Sequence, residues 1–311
     1  MFRFILARLF QFPLILAIIY LITFLMVWVV PGDPFRKNDK NLSPEALLAR
    51  RKEFHAESAS SFLRFYTVNA LHCDFGRSME YEEFTVNDIL RRALPVSVTL
   101  GIFSLLLALL AGVGVGVLAA VRREGLLDWF SLSIVLLGIS LPTFVAAAIL
   151  RIVGTEQLKW FSIGTWGNFG SMVLPGIALA MQPMAYIARL TRVSMIDTLS
   201  SDFIRTARAK GVSRNLVIWK HALRNALLPV LSYLGPAAAY TMTGSFVVEK
   251  VFQVPGLGQH FVNSIQNRDQ TLILGTVIVY SFFLLSFNLL VDIAYVFVDP
   301  RIDVTAKSLG S

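Results

Sequence analysis

Six stretches of this chain stay apolar for about 20 residues, the length a helix needs to cross the hydrocarbon core of a bilayer. They lie at about 9–30, 96–121, 128–153, 173–191, 227–248 and 273–298. Lipid offers no partner to an unpaired backbone group, so apolar segments of this kind are confined to helices. The expected fold is an all-α membrane protein with six transmembrane helices. The charged fraction of 15% and the mean hydropathy of +0.65 agree, since a soluble domain would expose far too much apolar surface. Pro142 interrupts the third window and Arg151 lies near its end, which predicts a kink there. The first window follows Arg3 and Arg8. It is too long for a signal-peptide core and ends in Pro31-Gly32-Asp33-Pro34 rather than a small-residue cleavage site, so it reads as a retained span.

Six spans place both termini on one side. With the N-terminus inside, the inner segments hold 14 Lys or Arg: Arg3, Arg8, Arg122, Arg123, eight between Arg189 and Arg224, Arg301 and Lys307. The short outer loops hold Lys159, Lys250 and Arg268, with Arg151 at the border. The positive-inside rule then predicts cytoplasmic termini and a long extracytoplasmic loop over 31–95. The resulting division is an N-terminal tail and first span (1–30), the outer loop or cap (31–95), a core of five spans (96–298) with a cytoplasmic loop at 192–226, and a cytoplasmic tail (299–311). Within the cap, Ser43-Pro44-Glu45 has the residue types of a helix start. Phe54, Phe62, Leu63, Phe65 and Tyr66 give it apolar material for a small folded unit.

Several chemistries find no support. Cys73 is the single cysteine, so an intrachain disulfide and a cysteine-based zinc site are both excluded. His55, His72, His221 and His260 are dispersed, without metal-ligand spacing. Gly112, Gly114 and Gly116 lie inside an apolar window, where small residues serve close helix packing rather than a dinucleotide turn. There is no G-x-x-x-x-G-K-[ST], Gly-x-Ser-x-Gly or His-Glu-x-x-His, and no histidine in any window, which argues against an ATPase or an intramembrane hydrolase. Asp292, the one carboxylate well inside a window, lies near an inner end and suits capping better than proton relay, which disfavours a proton-coupled secondary transporter. The net charge of +8 is accounted for by inner loops and requires no nucleic acid. No cofactor is expected in the chain.

The basic segment RTARAKGVSRNLVIWKHALRNALLP, Arg205 to Pro229, is the most informative stretch. Six Lys or Arg fall between Arg205 and Arg224 with no acid among them. Ser201 or Asp202 can cap a short helix carrying Phe203, Ile204, Ala207 and Ala209. Gly211 suits the left-handed stop, with Val212 as the hydrophobic residue after it. Ser213 can cap a second helix with Leu216, Val217, Trp219, Ala222 and Leu223. Such a pair fits either an anionic membrane surface or, with Ala207 and Ala209 allowing close approach, a cytoplasmic protein.

These residues resemble the cytoplasmic "EAA" loop of ABC-importer permeases, and more narrowly the dipeptide/oligopeptide permease family. Asp74-Phe75-Gly76-Arg77-Ser78, Val248 to Gly258, Asn288 to Asp292 and Asp299-Pro300-Arg301 extend the resemblance over nearly the whole chain. It implies the type I ABC-importer permease fold and a multi-pass subunit of a bacterial or archaeal inner membrane, without enzymatic activity of its own. It implies four kinds of partner: a second permease completing the pathway as a heterodimer, two cytoplasmic ATPase subunits that bind ATP, an extracytoplasmic substrate-binding protein, and membrane lipid. Phe203, Arg205, Thr206, Ala207, Ala209, Lys210, Gly211, Val212 and Leu223 would form the ATPase-coupling loop. Arg205 replaces the glutamate of the generic motif. Arg224 replaces its proline, leaving the end of the second coupling helix undefined. The implied cargo is a peptide, with nickel-chelate and oligosaccharide permeases of the same family as alternatives.

Overall fold

The structure, a computed structural model of the 311-residue chain, describes residues 2–30, 34–36, 43–81, 83–159, 161, 164, 166–243 and 245–298. Their regular elements are all helical, with one isolated antiparallel bridge between Arg77 and Thr85. The first apolar window lies in α1 (Phe2–Val29). Two short helices come next, α2 (Pro44–Glu53) and α3 (Ala59–Leu71). Ser43 caps α2 as expected, its hydroxyl accepting from the Ala46 N–H at 3.2 Å with Pro44 in the first turn. Ser58 caps α3 in the same way.

The second window lies in α4 (Val86–Val121), which starts about three helical turns before the apolar run does. Reciprocal bonds explain the early start. The Thr85 N–H donates to the Asp88 carboxylate at 3.2 Å, and the Asp88 N–H donates to the Thr85 hydroxyl at 3.1 Å. Val86, Ile89, Leu90 and Ala93 then bury one side of this first part.

The third window is split into α5 (Leu126–Ser140) and α6 (Thr143–Arg151), the latter widening into a π-helical turn over Ile152–Gln157. The break falls at Leu141-Pro142, where the proline has no N–H to continue the ladder and instead precedes the first turn of α6. The fourth window lies in α7 (Phe169–Leu199), capped by Asn168, whose side chain accepts from the Ser171 N–H at 2.9 Å.

Past α7 come α8 (Asp202–Ala209), α9 (Arg214–Leu216), a π-helical turn at Val217–Ala222, and α10 (Leu223–Ala226). The fifth window is carried by α11 (Leu228–Thr243) and α12 (Ser245–Phe252). After α13 (Leu257–Asn267), α14 (Gln270–Val298) carries the sixth. Among the described residues four helices are singly long and apolar enough to cross a membrane: those at Arg8–Val29, Val86–Val121, Phe169–Leu199 and Gln270–Val291. The third and fifth windows are each built from two shorter helices. The side chain of Asp292 and the Asp299-Pro300-Arg301 motif lie outside the described part of the structure.

The chain divides into two compact units. One comprises Leu6–Ser97 and Pro255–Leu285. Its core is aromatic: Tyr20 and Phe24 of α1 stack with Tyr66 and Phe62 of α3. The start of α14 joins them, the Tyr66 hydroxyl donating to the Thr271 carbonyl at 2.9 Å. Asp269, buried, caps α14 by accepting from the Leu272 N–H at 3.0 Å. Its other oxygen accepts from the Ser78 hydroxyl, which fixes the Asp74–Ser78 turn to the helix start. The aromatics of the 31–95 segment therefore pack on membrane-spanning helices of this unit.

The other unit holds Val98–Val254 with the first residues of α1 and the last of α14. It is held by close helix contacts at small residues. A Cβ on Gly112 would sit 2.7 Å from the Met184 carbonyl oxygen, and one on Gly116 would sit 2.6 Å from that of Ala188. Gly138 meets Ala185 almost as closely. All three glycines let α4 and α5 lie against α7. Gly114, between the first two, faces open space and plays no such part.

Candidate functional site

The basic segment forms one continuous feature at an end of the second unit. α8 leaves α7 after a turn at Ser200-Ser201. Ser201 takes the N-cap position, but its hydroxyl donates back to the Thr198 carbonyl at 2.6 Å instead of capping α8. The helix stops as the sequence predicts. The Gly211 N–H donates to the Arg208 carbonyl at 3.0 Å and the Val212 N–H to the Ala207 carbonyl at 3.2 Å, the paired bonds of a Schellman turn. Gly211 has φ +78° and no atom within 4 Å of where a Cβ would lie. Its glycine is needed for the backbone conformation, and its surroundings within the chain are open.

Beyond Val212 the chain does not build a second free-standing helix. Ser213 takes the N-cap position of α9 without a side-chain cap bond. The chain then runs through α9, the π-helical turn and α10 almost directly into α11, with Leu227 between them. Arg224, where the family pattern has proline, lies inside α10. With an N–H available at that position the helix has no reason to end there.

Apolar burial fixes this feature to the bundle. Ile204, Ala222 and Ala226 are fully buried, with Val217 and Ile218 beside them. They pack on Val117 and Ala120 at the end of α4 and on Met195 of α7. The wider π-helical turn keeps Val217, Ile218 and Ala222 inward while Trp219 points out, 59% exposed. The outward face also carries Phe203 and Leu216, each 46% exposed. Around them Arg205, Thr206, Arg208, Ala209, Lys210, Gly211, Arg214, Lys220 and Arg224 are exposed. Ala207, Val212 and Leu223 are half-buried, and Val212 and Leu223 pack on the anchoring cluster. The nine predicted loop residues thus lie together, divided between an outward face and a buried root. Among the described residues Arg205 alone of these cations has an ion-pair partner, Asp202 at 3.4 Å, a surface contact worth little.

Two features escaped sequence reasoning. Asp128, in the first turn of α5, is buried and binds Arg192 of α7 through two hydrogen bonds. The Glu124 N–H donates to the same carboxylate at 3.0 Å. An acid at the start of an apolar window, four residues past Glu124, was the available signal. Second, α7 turns a polar stripe outward, with Gln182 half-buried and Tyr186 and Arg189 exposed. The ring of Tyr186 lies 4.5 Å from that of Tyr233 on α11. Tyr240, further along α11, bonds the Thr143 hydroxyl of α6. No cluster of metal-ligating side chains occurs among the described residues.

A bundle of long apolar helices with an anchored, basic helical turn at one end is the architecture of a polytopic membrane protein. The chain is a member of the binding-protein-dependent transport system inner membrane component family, whose profile matches residues 112–304. It is 43% identical over 307 residues to the dipeptide transport system permease protein DppB of Bacillus subtilis, spanning 98% of this chain and 99% of the relative. It is 41% identical over 305 residues to the oligopeptide transport system permease protein OppB of Salmonella typhimurium, spanning 97% and 99%. Solved ABC transporters share its fold. The inward-facing MetNI methionine ABC transporter matches with a TM-score of 0.54 at 21% identity, over 68% of this chain and 96% of that one. An amino acid ABC transporter matches at 0.52 and 17% identity, over 67% and 94%. The chain is therefore a multi-pass inner-membrane transport component.

Proposed function

We propose that this chain is the membrane-spanning permease subunit of an ATP-driven importer for dipeptides or oligopeptides. It would form half of the translocation pathway with a second, similar permease, receive cargo from an extracytoplasmic binding protein, and engage two cytoplasmic ATPase subunits. The observation that carries this reading is near-full-length identity of about two residues in five to dipeptide and oligopeptide permeases. The six apolar windows serve as six spans with both termini cytoplasmic, so that 31–95 lies outside and α8 to α10 inside. ATP binds the partner subunits and no cofactor binds this chain.

The α8 turn supports the coupling role. Its root in the ends of α4 and α7 lets a push on Phe203, Thr206, Ala209 or Lys210 act on the bundle rather than on a loose loop. A docked ATPase surface that moves would therefore bias the two states of the pathway. The stripe of Gln182, Tyr186 and Arg189 offers hydrogen-bonding groups in a span where lipid would favour none, as the wall of an aqueous path requires.

Uptake of a labelled dipeptide and a labelled tetrapeptide into cells lacking only this chain tests the proposal. Loss of peptide uptake, restored by the chain in trans, is expected. Unchanged peptide uptake with loss of nickel-chelate or oligosaccharide uptake moves the substrate elsewhere in the family. Transport by the purified chain without ATPase subunits overturns the ABC reading altogether.

A further inference from the structure

In the unit that contains α1, α13 and α14, a groove of about 300 Å³ opens at one end of the helices. Its walls are Met26, Val27 and Val30 of α1 and Ile273 and Val277 of α14, with Phe261 of α13. Met26 and Val30 are more than half exposed, so the groove opens outward past apolar side chains. Three polar residues line it: Thr23, whose hydroxyl donates to the Ile19 carbonyl at 2.8 Å, and at its mouth Arg268 and Gln270. Gln270 is 9% exposed, and its Oε1 is buried with no hydrogen-bond partner. Arg268, half-buried with φ +61° at the end of α13, pairs with no carboxylate among the described residues.

These groups restrict the ligand. A buried amide oxygen left unpaired is costly, so an occupant must bring a hydrogen-bond donor to Gln270, and a primary ammonium, charged and with three N–H groups, is the strongest donor a phospholipid headgroup carries. A guanidinium has donors only, so the occupant must bring an anion to Arg268. The rest of the occupant must be a narrow apolar chain. A transmembrane helix, about 10–12 Å across, does not fit inside the groove. Both α1 and α14 have their ends here, which puts the polar mouth at the depth where hydrocarbon gives way to headgroups.

We propose that this groove is a specific binding site for a phospholipid with a primary-amine headgroup, phosphatidylethanolamine. The phosphate pairs with Arg268, the ammonium donates to Gln270 Oε1, and one acyl chain lies along Val27, Ile273 and Val277. The site does not depend on which cargo the importer carries.

The test uses the intact importer complex, extracted in mild detergent, delipidated, and examined by native mass spectrometry. Phosphatidylethanolamine, phosphatidylcholine and phosphatidylglycerol with identical acyl chains are added back in turn. The expected result is one phosphatidylethanolamine per chain, retained about tenfold better than phosphatidylcholine, whose quaternary amine has no N–H to give. Gln270→Leu is expected to abolish that preference while leaving phosphate-dependent binding. Arg268→Ala is expected to weaken retention of all three lipids. Retention of phosphatidylcholine or phosphatidylglycerol equal to that of phosphatidylethanolamine by the unaltered complex overturns the proposal. So does a groove that retains no lipid because a second subunit covers it, or displacement of the lipid by a dipeptide.

Discussion

Asp128 and Arg192 lock the start of α5 to α7 with a two-pronged bond: Nε to Oδ1 at 2.7 Å and Nη2 to Oδ2 at 2.8 Å. The carboxylate side chain is 4% exposed and the guanidinium 22%. A pair so sheltered is held by geometry as well as charge, unlike the exposed pairs elsewhere on the chain. Breaking one side strands the other, at a cost on the order of 3 kcal/mol. Asp128→Asn is therefore expected to lower the unfolding temperature of the purified complex by several degrees. Arg192→Met in the Asp128→Asn background should cost less than the two single changes added together. Additive losses in that cycle would show that the two residues do not act as a pair.

Gly211 allows a sharper test of the turn. Its left-handed φ costs a branched side chain roughly 1–2 kcal/mol, while asparagine tolerates it. No neighbour lies within reach of an added Cβ, so this cost is purely one of backbone conformation unless a partner sits there. Gly211→Val is expected to insert normally in the membrane but to lose ATPase co-purification and peptide uptake, and Gly211→Asn to keep most of both. If asparagine is as damaging as valine, the open space around Gly211 is occupied by the docked ATPase. Normal co-purification with valine would remove the turn from the coupling role.

Ile204 and Phe203 are neighbours in sequence with opposite placements. Ile204 is fully buried against the ends of α4 and α7, and Phe203 is 46% exposed. Ile204→Ala is expected to cost about 2–5 kcal/mol, read as earlier thermal unfolding, because it opens a cavity in the root of the feature. Phe203→Ala is expected to leave the unfolding temperature unchanged and to weaken ATPase docking. A Phe203 variant that docks normally would assign the outward face to lipid headgroups instead.

The contrast between those two residues also shows how far the sequence was legible. Helix starts and stops carried by local backbone chemistry could be read directly: Gly211 with Val212, Pro142 at the break in the third window, Ser43 before α2. Gly112 and Gly116 were legible as packing sites, yet Gly114 shares their pattern and faces open space, because only the partner helix decides which glycine is needed. The fate of Arg224 was hidden for a related reason. The motif marks a proline at that position, and only the structure shows α10 running on toward α11 through Leu227. Asp128 with Arg192, and Ser78 with Asp269, are 64 and 191 residues apart, so no spacing rule links them. Such pairs are set by which helices meet, and that is decided by packing across the whole chain.

His260 of α13 supplies a pH dependence that can be isolated. Burial pushes its pKa below the usual imidazole value, and its Nδ1 has no hydrogen-bond partner. In the unfolded chain the ring gains its proton near pH 6.5, whereas the folded chain resists it until lower pH. The unfolded state then holds more protons, so stability is full above about pH 6.5 and is lost as pH falls from there toward the depressed folded value. Other groups titrate over the same range, so the informative quantity is a difference. His260→Gln keeps a polar side chain of similar reach without a titrating ring. The unaltered complex is expected to lose more thermal stability than the variant between pH 7.5 and pH 5.5. Parallel losses in the two proteins would mean that His260 accepts its proton as readily folded as unfolded, and that the packing around α13 does not shield it.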